Sequence, residues 1–359
     1  MKGQEMNNGL DHKATLKDIA TKVGVSVTAA SLVLNNRRVR ISREKRDRIL
    51  QVAKQLDYRP NQVARNLAAG ESRLIALIVP SIENLFFASL AKRLECECAN
   101  DGYSLVVAVS EESRAKEHAV MNRLSALGVD GVFLVAARES YEAERELRKD
   151  AERVMCPVVL MDRLFSSSWC DGLAFDGYLG GRQASQRLVD AGHRRIGCVT
   201  DEADGEGLGV RTRGFVDVLQ ESGIGFDPAL WVRGDYRFSS GYMAADRLID
   251  MGVTAVFCGN DLMAAGFIQR VTERGLCVPA DISVVGFDDV LEYYGLFRAV
   301  TSVAQDISQL AKRGWGKMRE YIELLDSDDV GGCPWLENHH AELLKPHLVE
   351  HGTISDIAM

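Results

Sequence analysis

The stretch Thr15-Leu-Lys-Asp-Ile-Ala-Thr-Lys-Val-Gly24-Val-Ser-Val-Thr-Ala-Ala-Ser-Leu-Val-Leu-Asn-Asn36 holds two helix signals around one glycine. Thr15 followed by Asp18 is a capping-box variant, with the acidic side chain near the positive end of a first helix. Val23-Gly24-Val25 supplies the turn. Ser26 can cap a second helix, Val27 to Leu34, which stops at Asn35-Asn36. Two short helices around a Gly turn form a helix-turn-helix. Ile19, Ala20, Val25, Ala30, Val33 and Leu34 can make its small core, leaving Val27, Thr28, Ala29 and Leu32 at the exposed start of the second helix, where base edges would be met. A third amphipathic helix, Ser42 to Leu56, turns Ile49, Leu50, Val52, Ala53 and Leu56 inward and ends before Tyr58-Arg-Pro60. Arg37, Arg38, Arg40 and Arg43 can reach phosphates, which position a protein on DNA without specifying sequence.

Charge agrees with this reading. The formal net charge is −8, but residues 1–73 carry 15 Lys+Arg against 7 Asp+Glu, and the remainder carries 28 against 44. A basic head joined to an acidic body points to nucleic acid for the head alone. At 359 residues the chain exceeds one core, and its 46% hydrophobic content fits an ordinary globular protein. Its longest apolar runs, such as Leu74–Val79 and Val132–Ala137, are strand-sized and too short to span a bilayer. The start MKGQEMNNGLDHKA lacks an apolar signal region, so the cytoplasm, about the nucleoid, is the expected compartment. Eight dispersed cysteines read as reduced thiols, and no His or Cys spacing suggests a metal site, His339-His340 reading as a solvated loop.

From Arg73 onward the pattern becomes βα alternation. Strand-like runs at Leu74–Val79, Ser104–Val109, Gly131–Ala137 and Val158–Met161 are followed by a second set at Ile196–Thr200, Leu230–Gly234, Ala255–Cys258 and Ser283–Phe287, with helices between them. Phe133 and Phe257 sit in similar segments 124 residues apart, and Val159 and Val285 are 126 apart. A near-constant offset implies two similar α/β subdomains, each a doubly wound parallel sheet. Ligands of such sheets bind beyond the strands' carboxyl ends. Phe86, Phe87, Asp162, Arg163, Asp176, Asn260 and Asp288 are therefore the candidates, and Phe257, on the Ala255–Cys258 strand itself, is counted with them. Aromatic faces beside carboxylates and amides suit a polyhydroxylated ligand. Asn260 and Asp288 could instead be helix caps, Phe86 and Phe87 could be core, and Asp261 reads as a cap. No Gly-x-Gly-x-x-Gly follows a strand, and there is no Walker loop or nucleophile elbow, so catalysis is not expected.

TLKDIATKVGVSVTAASLVLNN, followed by YRPNQVARNLAAGESRLIALIVP, resembles the LacI/GalR family of bacterial transcriptional regulators, and the resemblance runs to about Thr353. It implies a repressor without cofactor or metal, a homodimer that reads a palindromic double-stranded operator. In that family the second helix enters the major groove. Val27, Thr28 and Leu32 match base readers, and Thr15, Ser26, Thr28, Ser31, Asn35, Arg37 and Tyr58 fall near the backbone. Arg is frequent in the family where Leu32 stands; an apolar side chain cannot fork onto guanine, so a thymine-methyl contact is the expected substitute. Asn61 to Ala69 resembles the hinge helix, with Asn61, Ala64 and Arg65 in its motif and Leu67 as the minor-groove wedge. Arg211, in Arg-Thr-Arg-Gly-Phe215, and Tyr236 match effector-contacting positions. The resemblance divides the chain into an extension at 1–13, a DNA-binding domain at 14–59, a hinge at 60–72, a periplasmic-binding-protein-like core at 73–353 and a tail at 354–359. The first lobe would take 73–172 and 302–334, the second 173–301 and 335–353. The expected effector is a sugar or sugar derivative in the inter-lobe cleft. A purine-type corepressor, or a solute-binding protein without DNA function, is the alternative.

Overall fold

The computed structural model describes residues 14–34, 38–58, 72–165, 167, 169–201, 209–295, 299–325, 334–336 and 340–357. The chain divides between Ser72 and Arg73 into two units. Asn35, Arg37, Asn61, Ala64, Arg65 and Leu67 lie outside the described residues.

In the first unit the local signals become α1 (Leu16–Val23), α2 (Val27–Leu34) and α3 (Arg43–Gln55). The Thr15 N–H donates to Asp18 at 2.8 Å and the Asp18 N–H returns to Thr15 Oγ1 at 3.3 Å, closing the capping box. Gly24 ends α1 at φ 72°, a left-handed conformation that needs no Cβ. Ser26 Oγ accepts from the Ala29 N–H at 3.1 Å and Ser42 caps α3. Ile19, Val33, Ile49, Val52 and Ala53 close the core, with Tyr58 packed against its edge. Leu50 departs from expectation and is 48% exposed. One step along a helix is a rotation of about 100°, so Leu50 cannot share the inward face of Ile49.

The second unit holds two six-stranded sheets. The first contains β1 (Leu74–Val79), β2 (Ser104–Val109), β3 (Gly131–Leu134), β4 (Val158–Met161), β5 (Gly172–Phe175) and β11 (Ala341–Leu344), in the order β11-β5-β4-β3-β1-β2. The second contains β6 (Ile196–Thr200), β7 (Trp231–Arg233), β8 (Ala255–Cys258), β9 (Ser283–Asp288), β10 (Ser302–Ala304) and β12 (His347–Val349), in the order β12-β10-β9-β8-β6-β7. The orders match strand for strand, as the sequence offset implies. Central strands are parallel and apolar throughout because helices cover both faces. The first lobe carries α4 (Leu85–Asn100), α5 (Arg114–Leu127) and α6 (Glu144–Arg153). The second carries α7 (Gly177–Asp190), α8 (Val210–Glu221), α9 (Phe238–Asp250), α10 (Asp261–Glu273) and the short α11 (Leu291–Tyr294). α12 (Ile307–Leu325) returns to the first lobe, packing on α4.

Three lobe boundaries differ from the sequence reading, the first because β5 bonds to β4 and keeps residues 173–175 in the first lobe. β10 bonds to β9 and β12 and so belongs to the second lobe, not the first. β11 bonds to β5 and so belongs to the first lobe, not the second. Strands this short carry no periodicity, and backbone pairing alone decides their sheet. The chain thus crosses between lobes after β5, after β10 and between β11 and β12.

Among the described residues no helix is long and apolar enough to cross a membrane, and no group of His, Cys, Asp and Glu is placed to hold a metal ion.

Two helix pairs cross at backbone contact. A Cβ at Gly214 of α8 would meet the Tyr178 carbonyl of α7 at 2.1 Å, and one at Gly266 of α10 would meet the Phe238 carbonyl of α9 at 2.1 Å. Neither obstacle is a flexible side-chain end. Gly266→Ala should therefore lower the thermal midpoint by several degrees, in line with an overpacking cost of about 2 kcal/mol. An unchanged midpoint in calorimetry would show that the crossing has slack.

Candidate functional site

A cavity of about 210 Å³ lies between the lobes. It forms where strands of both sheets end and where the chain crosses over. From the first lobe come Asn84, Phe86 and Phe87 at the start of α4 and Asp162 and Arg163 after β4. The second lobe supplies Arg211 on α8, Tyr236 after β7 and Asp288 at the end of β9. The crossovers add Asp176 and Gln305, and β11 of the first lobe adds Leu343.

Local chemistry fixes each side chain. Asn84 caps α4 by accepting from the Phe86 N–H at 2.9 Å. That cap sets Phe86 and Phe87 edge to face, with ring centroids 5.6 Å apart. Asp176 caps α7 through the Leu179 N–H at 2.8 Å. Arg211 lies over the Phe287 ring at 3.8 Å, donates to the Gly259 carbonyl at 2.6 Å and stands 3.7 Å from Asp288. Gln305 donates to Asp288 at 2.7 Å. Burial pushes the carboxyls of Asp288 and Asp162 above their ordinary range, and Arg211 opposes the shift at both. Asp162, Tyr236 and Asp288 all have left-handed backbones, at φ 64°, 64° and 100°. Such conformations are costly for residues with a Cβ and mark places where a side chain is aimed.

Arg163 is committed elsewhere. Its guanidinium forks onto Glu112 at 2.7 and 2.9 Å and donates to the Ala136 carbonyl at 2.9 Å. Burial alone would raise the Glu112 carboxyl, but Arg163 holds it below its usual value. Two sequence candidates fall outside the cavity wall. Phe257 is fully buried, stacked at 5.5 Å on Phe215 and 6.5 Å from Phe287, so it supports the ring beneath Arg211. Asn260 caps α10 through Met263 and donates to the Tyr236 carbonyl at 3.0 Å, acting through Tyr236. Gln305, Asn84 and Leu343 are wall residues that the sequence reading omits. Gln305 follows β10, and the carboxyl-end rule finds it once β10 is placed in the second sheet.

Behind Asp288, Asp261 is buried and accepts from Ser302 Oγ at 2.6 Å and the Val290 N–H at 2.8 Å. It is not the cap that the sequence reading makes it: Asn260 caps α10, and Asp261 is its first residue, whose carboxyl instead clamps the Asp288-Asp289 turn to β10. Burial pushes its carboxyl up to about 7.

In the first unit Val27 is 45% exposed and Thr28 is exposed at the start of α2, and Leu32, one turn further along, is partly so. Ser26 uses its hydroxyl oxygen as a cap acceptor.

Asp261 binds its proton more tightly folded than unfolded, so its contribution is present at low pH and is lost as pH rises from about 4 to 7. The stability of the wild type relative to Asp261→Asn should fall across that window, by at most about 4 kcal/mol. Denaturant titrations of both proteins from pH 4.5 to 8 measure the difference; a flat difference would mean the carboxyl is ionised throughout.

Residues 15–61 match the model of the bacterial regulatory proteins, lacI family, and residues 185–326 match that of the periplasmic binding protein-like domain. The chain is 33% identical over 346 residues to the HTH-type transcriptional repressor PurR of Edwardsiella ictaluri, covering 96% of this chain and 97% of the relative. It is 31% identical to the ribose operon repressor of Haemophilus influenzae, covering 83% and 89%. A crystal structure of the Lac repressor bound to ONPG in the repressed state aligns with TM-score 0.79 at 25% identity, covering 95% of this chain and 100% of that one. These relatives are repressors rather than enzymes. With a helix-turn-helix head and a two-lobed core around a polar cavity, the chain belongs to the LacI family of bacterial regulatory proteins and is a transcriptional repressor with an effector-binding domain.

Proposed function

We propose that the effector is a neutral sugar of one ring, bound in the inter-lobe cavity and controlling operator affinity. The observation that carries this reading is the excess of acceptors over donors. Asp162, Asp176, Asp288 and the amide oxygen of Gln305 face the cavity beside the Arg211 guanidinium, while Arg163 is spent on Glu112. Hydroxyl groups donate to such acceptors without bringing charge. A phosphorylated or carboxylated ligand would meet three carboxylates at short range. Phe86, Phe87 and Tyr236 supply flat apolar faces for ring C–H groups. About 210 Å³ is small beside the roughly 300–1,000 Å³ of pockets for drug-sized ligands. The relation to a ribose operon repressor is consistent with a single ring.

At the other end Val27, Thr28 and Leu32 read bases, and Thr15, Ser26, Ser31, Asn35, Arg37 and Tyr58 hold the phosphate backbone. Asn61, Ala64, Arg65 and Leu67 form the hinge contact. The protein acts as a homodimer on a palindromic operator, whose two half-sites mirror the two-fold axis. Effector bound to both lobes favours one arrangement of them, and its differential affinity for two arrangements is the whole of the control.

Gel shifts on a palindromic site from the gene's own promoter, with D-ribose, D-glucose and adenine added in turn, test the reading. A sugar should move the operator midpoint, and Arg211→Ala should remove that response while leaving operator affinity unchanged. Loss of a charged hydrogen-bond donor predicts weakening of sugar binding by about tenfold to a hundredfold. A response to adenine alone would replace the sugar by a nucleobase.

A further inference from the structure

One carboxylate ties together the turns after β2, β3 and β4 of the first lobe. Glu112, in the turn after β2, accepts from both Nη atoms of Arg163, after β4, at 2.7 and 2.9 Å, and from the backbone N–H of Arg138, after β3, at 2.8 Å. Glu111 and Glu112 both hold left-handed backbones, at φ 52° and 60°. Two such residues in succession are costly, and the cost marks Glu112 as a side chain that is aimed. Arg163 lines the cavity and is 4% exposed, whereas Glu112 lies outside the wall with its side chain 37% exposed. The Arg163 guanidinium also stands 5.8 Å from the ring centroid of Phe87, a wall residue, and donates to the Ala136 carbonyl at 2.9 Å. The wall therefore holds two guanidiniums, Arg211 and Arg163, and the second reaches it already neutralised. Its charge is governed by a residue that a ligand need not touch.

We propose that Glu112 is a specificity-determining residue: by occupying both Nη atoms of Arg163, it denies an anionic group its partner and confines the site to neutral ligands. The ligand's chemistry rests on the sugar reading; the role of Glu112 rests on the geometry of the pair. A carboxylate or phosphate takes a guanidinium by the same fork that Glu112 makes, so Glu112 holds the place an anionic ligand would take. To compete, the ligand must break a charged pair whose arginine is buried, which is strongly unfavourable for whichever charge is left alone. Without Glu112 the wall gains an uncommitted cation against Asp162, Asp176 and Asp288. Asp162 already lies in the field of both members of the pair, so a released Arg163 changes the wall whether it turns to Asp162 or to a ligand. Selectivity of this kind withholds a contact from the wrong ligand rather than adding one to the right.

The test uses the full chain, its Glu112→Gln variant, and the double variant Glu112→Gln with Arg163→Met. Glutamine keeps the side-chain length and an oxygen that can accept from the Arg138 N–H. Glu112→Gly, which suits the left-handed backbone, repeats the removal of charge should the amide variant not fold. Calorimetry compares each neutral sugar with an anion of it: D-glucose with D-glucuronate, which is the same size, and D-ribose with D-ribose 5-phosphate. The wild type should favour the neutral member of each pair. In Glu112→Gln the ratio of anion to neutral affinity should rise by about tenfold or more at low salt and by less at high salt, and the double variant should lose the gain. A purely structural role for Glu112 would weaken both members of a pair alike. An unchanged ratio, or a gain that the double variant keeps, would overturn the role of Glu112 and leave the sugar reading standing. Anion binding by the variant, with no neutral sugar bound by any of the proteins, would remove the neutral sugar and keep Glu112. Preference for an anion in the wild type, or no binding to any of the proteins, would overturn both.

Discussion

The Arg211 guanidinium answers both raised carboxyls at the ends of strands in different sheets, alone at Asp288 and with Arg163 beside it at Asp162. The rest of the core is arranged around that imbalance. Asp288 is held on a left-handed backbone by its strand, by Gln305 from a crossover and by the Asp261 clamp behind it. Arg211 is held flat on Phe287, whose ring is braced by Phe257. Carboxylates kept from water favour protons or hydrogen-bond donors, and a ligand that supplies donors to both lobes gains most when the lobes are together. The same groups that make the site costly to build make it responsive, because their satisfaction depends on lobe position.

The crossovers decide what kind of movement this permits. Three strand connections at one edge join the lobes; Asp176 and Gln305 sit on two of them, and Leu343 lies in β11 just before the third. A ligand touching these residues contacts the axis about which the lobes turn, whereas Phe86, Phe87 and Tyr236 are carried by one lobe or the other.

Local signals in the sequence sufficed for the head and failed where pairing is long-range. Thr15, Gly24, Ser26 and Ser42 each act within four residues of themselves, so their caps and turn could be read directly. Central strands were equally plain, because parallel strands covered on both faces are continuous apolar runs. β10, β11 and β12 are three or four residues long, and nothing within them states which sheet they join. Misplacing β10 hid Gln305, the residue that neutral hydrogen bonding would most readily pair with Asp288. Phe257 failed for a related reason: it lies within its strand rather than beyond it, and an aromatic there packs into the sheet's cover. The pairing of Arg163 with Glu112 has no sequence signal, since they follow different strands 51 residues apart.

The division of charge constrains how a message passes from cavity to DNA. The head carries the basic surplus and the core the acidic one, so the core contributes no favourable field at an operator. At physiological salt the field of a charge decays over about 8 Å, so a charge change at the cavity acts on its immediate neighbours only. A neutral effector makes the point stronger, because it adds no charge at all. Control in the proposed reading is then conformational, and its size is set by how differently the effector binds the two lobe arrangements.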